Sequence, residues 1–147
     1  EFYRFLTYMF LHADVNHLVN NMLILYFVGN FCERYLGSAG FSVLYFLSGI
    51  AAGAGSILIH GLDTACVGAS GAIFGIIGAV FCLVIFDRKR NHVSIKQTLV
   101  FVFLSVYSGF TAKGVDNAAH ITGLLTGFIL CFIIWIFRRK VTATDIT

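Results

Sequence analysis

Charge is missing from most of this chain, and that feature limits what it can become. Asp, Glu, Lys and Arg are absent from residues 15–32, 35–62, 64–86, 97–112 and 117–137. Each stretch is near the roughly 20 residues that carry a helix across a hydrocarbon layer of about 30 Å. The shortest, 97–112, reaches if its flanking polar side chains snorkel. Only 12% of residues are charged, about half of what a soluble domain uses to face water. Backbone amides in lipid must be satisfied within their own segment, so the spans are helices. The expected fold is an all-α polytopic membrane helix bundle with five transmembrane helices, at 15–33, 39–61, 69–87, 96–112 and 117–137. The 147 residues form a single domain. Residues 1–14, aromatic-rich and amphipathic, read as an external loop in the outer interface, and 138–147 as a cytoplasmic tail.

Basic residues orient the bundle. Arg34, Arg88, Lys89, Arg90, Lys96, Arg138, Arg139 and Lys140 fall on one side, against Arg4 and Lys113 on the other. The larger set belongs in the cytoplasm, which puts the C-terminus inside. These cations cluster at the ends of apolar runs and not along a polar face, so the net charge of +3 does not indicate nucleic acid. Cys32, Cys66, Cys82 and Cys131 form no Cys-x-x-Cys pair and read as small buried hydrophobes. Five spans leave Glu1 outside, so either the N-terminus is translocated or a preceding helix is absent from this chain.

Polar groups at membrane depth are costly and therefore functional candidates. The first cluster runs from His12 through His17 to Asn21, with His17 and Asn21 four apart on one helix face. The second, Gly68 to Gly75, contains Ser70. The third, Asp116 to Gly123, contains Asn117 and His120. All three lie toward the outer side. Singly, each has a plainer reading: a membrane serine bonding its own helix, an asparagine cap, a histidine turned to water. His60 and His92 receive that plainer reading, and Asp116 is read as a solvated surface residue.

Two small-residue stripes connect the clusters. Gly71 and Gly75 follow Ser70, while Ala119, Gly123 and Gly127 flank His120 at the same spacing. Such stripes let two helix backbones approach closely. If they face each other, Ser70 and His120 come within hydrogen-bond reach. A neutral imidazole can take the proton of a serine hydroxyl and turn it into a nucleophile. His17, Asn21 and the Ser70 backbone N–H are donors suited to a developing oxyanion.

With these residues in hand, the sequence resembles the rhomboid intramembrane serine proteases over nearly its whole length. The resemblance begins at Tyr3-Arg4, similar to a Trp-Arg motif, and runs through His12, His17 and Asn21 and the Glu33–Gly37 segment. It continues through Gly68-Ala69-Ser70-Gly71 and Ala119-His120 with Gly123 and Gly127. It implies Ser70 as nucleophile, His120 as general base, and His17, Asn21 and the Ser70 amide as the oxyanion site. It gives His12, Gly68, Gly71, Phe74, Asn117 and Gly123 supporting places, with Asn117 lining the site. Phe74 falls where some members carry a tyrosine under the histidine; it can stack but cannot donate a hydrogen bond. The family core has six helices, so its first helix is expected to be missing here.

The expected activity is hydrolysis of peptide bonds in or near transmembrane segments, with single-pass membrane proteins as substrates and the lipid bilayer as partner. The active site opens to the extracytoplasmic side. No cofactor and no metal are implied; a His-Glu-x-x-His motif is lacking. Two rival readings are a non-proteolytic relative that binds membrane clients, and a haem cytochrome using His17 and His120 as axial ligands.

Overall fold

The computed structural model describes residues 3–62, 67–87, 96, 100, 103, 104, 107 and 114–144, with side chains described as far as 139. The described residues contain helices and no strand. They are α1 (Arg4–Thr7), a 3-10 turn (Tyr8–Phe10), α2 (Val15–Ile24), a π turn (Leu25–Gly29), α3 (Asn30–His60), α4 (Ser70–Phe86) and α5 (Asn117–Thr144). Helicity is unbroken from Val15 to His60 except at Gly37, whose φ of 76° and ψ of 161° lie outside any helix. A side chain there would be strained by that φ, so the glycine is what lets the path turn.

Among the described residues, two stretches are long and apolar enough to cross a membrane: Val15–His60, with 46 residues and the Gly37 break inside it, and Asn117–Arg139, with 23. Ser70–Phe86 is more apolar still but has only 17 residues, about 25 Å at 1.5 Å per residue. Most of the expected fourth span, together with Asp63, Cys66, Arg88, Lys89, Arg90, His92 and Lys113, lies outside the described residues. Lys96, Val100, Phe103, Leu104 and Tyr107 from that span are helical, and the rings of Phe103 and Tyr107 stack at 6.2 Å.

The centre of the bundle is α4. Its sequence is apolar all round, as a helix enclosed by others must be, and its buried face runs from Gly71 through Val84. Glycines let its neighbours approach. A Cβ on Gly71 or Gly75 would collide with Ala52 or Ser48 of α3. On the other side, a Cβ on Gly123 or Gly127 of α5 would strike the main-chain oxygens of Gly71 and Gly75. The two stripes expected from sequence therefore do meet, backbone against backbone. Dispersion between closely packed main chains takes the place of interlocking side chains.

The contacts also give direction. Near Ser70 the partners are Ala52 of α3 and Ala119 of α5. At the far end, the Tyr35 hydroxyl donates to Asp87, just past α4, and Arg138 of α5 donates to the Tyr35 and Leu36 main-chain oxygens at 2.7 and 3.2 Å. So α4 and α5 run parallel, with the ascending part of α3 antiparallel to both. Residues 138–144, expected as a tail, continue α5, and Arg138 closes the exposed carbonyls beside the Gly37 turn. Cys32, Cys82 and Cys131 are buried free thiols.

The N-terminal segment goes deeper than an interfacial loop. Tyr8 and Met9 are buried, with Met9 filling the space over Gly49 and the Tyr8 ring lying over Gly53. The Tyr8 hydroxyl donates to the Gly49 oxygen at 2.6 Å. Tyr3, Leu6, Phe10 and Leu11 remain exposed around this plug.

Candidate active site

Three helix starts converge at one end of the bundle. Asp14 is extended and caps α2, its carboxylate accepting the His17 N–H at 2.8 Å. This fixes the first turn of α2 and aims His17 and Asn21 the same way. Both face Gly68: a Cβ there would lie 2.7 Å from His17 Cε1, 2.9 Å from Nε2 and 3.6 Å from Asn21 Nδ2. Gly68 also has a φ of 117°, a second reason no side chain fits. Its N–H donates to the Tyr8 oxygen at 3.0 Å, so the buried plug holds the turn that leads into Ser70.

Ser70 is the first residue of α4, and Ala69 before it supplies no side-chain cap. First-turn N–H groups have no acceptor within their own helix, so this helix start presents donors. The Ser70 Oγ lies 2.9 Å from His120 Nε2 on the first turn of α5. Phe74, one turn along α4, lies flat against the imidazole, with centroids 4.1 Å apart and planes 13° apart. The direct Gly71–Gly123 approach just below sets this separation. With the hydroxyl donating to Nε2, the neutral ring carries its proton on Nδ1. That Nδ1 is buried and has no hydrogen-bond partner among the described residues.

The donor side is also prepared. Asn21 is 5% exposed, and its Nδ2 has no partner among the described residues. A buried amide without an acceptor costs about 1–3 kcal/mol, so its persistence asks for a functional reason. Ala13 N–H makes a long contact of 3.5 Å to His17 Nδ1, which favours the tautomer with the proton on Nε2, the nitrogen facing Gly68. Ser70, His17 and His120 are half-buried, so the site is neither sealed nor fully open.

Of the residues expected from sequence, Ser70, His120 and Phe74 are in direct contact, and His17 and Asn21 meet at Gly68. Gly71 and Gly123 form the helix contact beneath. His12 packs edge-on against His17, with ring centroids 5.2 Å apart. Asn117 opens α5 half-buried, on the same turn as His120. Among the described residues, no trio of His, Cys, Asp and Glu is arranged to hold a metal ion, and His120 Nε2 is engaged with a hydroxyl.

One sequence reading needs correction. Asp116 is not a solvated surface residue: its side chain is 19% exposed and it caps α5, accepting the Ala119 N–H at 2.9 Å. His60 is exposed, its side chain 43% accessible, and its Nε2 also lies 3.5 Å from the Asp116 carboxylate. Sequence reasoning also missed Tyr8 and Met9. Their signal was present in Gly49 and Gly53, a small-residue pair on α3 at helical spacing that needs something to fill it.

Comparison with known proteins gives a consistent picture. Residues 1–137 match the Rhomboid domain family. Rhomboid protease GluP of Bacillus subtilis (strain 168) is 36% identical over 129 residues, which is 87% of this chain and 25% of GluP. YdcA of the same organism is 34% identical over 136 residues, covering 90% of this chain and 67% of YdcA. RHOMBOID-like protein 4 of Arabidopsis thaliana is 37% identical over 151 residues, 95% of this chain and 38% of the plant protein. The first of these relatives is named a rhomboid protease and the second a putative one, and the helices fit an integral membrane protein. On a match that spans nearly its full length, the chain belongs to the rhomboid family.

Proposed function

We propose that this protein is an intramembrane serine endopeptidase that uses Ser70 and His120 as a catalytic dyad. The observation that carries the reading is the 2.9 Å contact between Ser70 Oγ and His120 Nε2, backed by the Phe74 ring. Ser70 Oγ attacks the scissile carbonyl carbon while its proton passes to His120 Nε2. The carbonyl oxygen becomes an oxyanion and takes hydrogen bonds from His17 Nε2, Asn21 Nδ2 and the Ser70 N–H. Losing one such donor typically costs about 2.7–4 kcal/mol of transition-state stabilisation. The imidazolium then protonates the departing amine, leaving an ester on Ser70. Water, its proton taken by His120, hydrolyses that ester and restores the hydroxyl.

The domain spans the membrane five times. Val15–His60 is long enough for two crossings separated at Gly37. Between α4 and α5, the uncharged sequence stretch 97–112 supplies the further crossing, with snorkelling flanks. The distribution of Lys and Arg puts Arg138 and Arg139 in the cytoplasm and Ser70 toward the extracytoplasmic side. Since α4 is about 25 Å long against a layer of about 30 Å, the hydroxyl at its start lies below the lipid surface. Substrates are single-pass membrane proteins whose helix unwinds near that level, because helical carbonyls are already hydrogen-bonded and hidden from attack.

The test is covalent labelling. A serine-reactive fluorophosphonate should modify the reconstituted protein, with no labelling in Ser70→Ala and strongly reduced labelling in His120→Ala. Persistent labelling of Ser70→Ala would overturn the dyad. Unchanged client handling by that variant would favour the client-binding reading.

A further inference from the structure

In a serine triad, a carboxylate bonded to the second imidazole nitrogen orients the base. Here His120 Nδ1 is buried and has no such partner among the described residues. The ring is therefore oriented by Phe74 on its face and by wherever the first turn of α5 puts its Cα. That turn is held by Asp116. The Asp116 Oδ1 accepts the Ala119 N–H at 2.9 Å, and its main-chain oxygen accepts the His120 N–H at 3.1 Å. The same Oδ1 lies 3.5 Å from Nε2 of His60, the last residue of α3. One carboxylate oxygen thus touches both the turn that carries the base and the end of the neighbouring helix.

We propose that the His60–Asp116 contact is a positioning device for His120, fastening the first turn of α5 to the end of α3 so that the imidazole stays at hydrogen-bond distance from Ser70. The proposal rests on the dyad reading above. Neither residue touches the reacting atoms. His60 acts on the reaction through Asp116, and Asp116 acts through the backbone of Ala119 and His120. Helix capping alone explains the Ala119 bond, but it gives no part to a histidine reaching across from α3.

The experiment measures the saturating rate and half-saturating concentration of fluorophosphonate labelling, with the thermal midpoint recorded for every variant. His60→Ala should lower the saturating rate about tenfold, the scale of a small misplacement of a catalytic group, with half-saturation and thermal midpoint unchanged. His60→Gln should recover most of that rate, because its amide N–H can still donate to Asp116. His60→Ala combined with Asp116→Ala should be no slower than Asp116→Ala alone, since both remove one device. A His60→Ala protein that reacts at the wild-type rate, or slows only in step with a fall in thermal midpoint, would overturn the proposal and leave the dyad intact. Labelling that survives Ser70→Ala would remove the dyad and the proposal with it.

Discussion

Phe74 lies flat against His120 and carries no hydroxyl, so it restrains the imidazole by shape and dispersion alone. Its replacement therefore separates packing from hydrogen bonding. Phe74→Tyr should keep the maximal cleavage rate close to wild type, whereas Phe74→Ala should lower it by at least about tenfold as the ring becomes free to tilt. Steady-state cleavage of a transmembrane substrate in liposomes measures this. A similar argument fixes the sign of the pH response. An imidazole that already holds a proton cannot accept one from Ser70. Cleavage should fall on acidification and recover when the same sample is returned to neutral pH; activity that rises in acid would count against His120 as base. The residues that meet at the candidate site were legible because serine, histidine and asparagine are conspicuous in an apolar sequence. Asp116 was misread for the converse reason: a carboxylate near a helix start looks solvated until the partner from α3 is seen.

Among the elements, the contact between α4 and α5 governs the site. Its spacing was readable as paired stripes of small residues, but the direction each glycine faces was not. Gly71 and Gly75 turn their open side to Ala52 and Ser48 of α3, while their main-chain oxygens receive Gly123 and Gly127. One set of glycines thus serves two interfaces, and only the three-dimensional arrangement reveals the second. Gly127→Ala puts a methyl against the Gly75 oxygen and should cost about 1–3 kcal/mol, the usual range for overpacking. Thermal unfolding in detergent, read alongside labelling, measures it, and an unaltered midpoint would mean the helices are not held as closely as described. The π turn at Leu25–Gly29 also escapes sequence reading, because no residue type announces it. The Asn30 side chain donates to the Tyr26 oxygen there, at 2.5 Å.

For the molecule as a whole, the candidate site and the C-terminal cations occupy opposite ends. Ser70, His120, His17 and Asn21 lie at one end, where Asp14 and Asp116 cap their helices, and Asp87, Arg138 and Arg139 lie at the other. Hydropathy and the bias of Lys and Arg supplied this polarity from sequence, since both are sums over many residues. The plug formed by Tyr8 and Met9 was not legible, because it depends on a cleft between segments about forty positions apart in the chain. Orientation can be tested directly with cysteines placed in a background lacking the native ones. Leu62→Cys should react with a membrane-impermeant maleimide added outside intact cells, and Arg139→Cys only after the membrane is opened. The opposite pattern would invert the assignment of sides.

Where two main chains touch, there are no rotamers to absorb a disturbance. The gap between hydroxyl and imidazole is inherited almost rigidly from the gap between two polypeptide backbones. Anything that wedges them apart, whether a detergent tail or a stray methyl group, should abolish the proposed activity while the spectrum still reports intact helices. Loss of turnover on warming is thus expected to precede loss of helical signal, with inactivation serving as the earlier alarm.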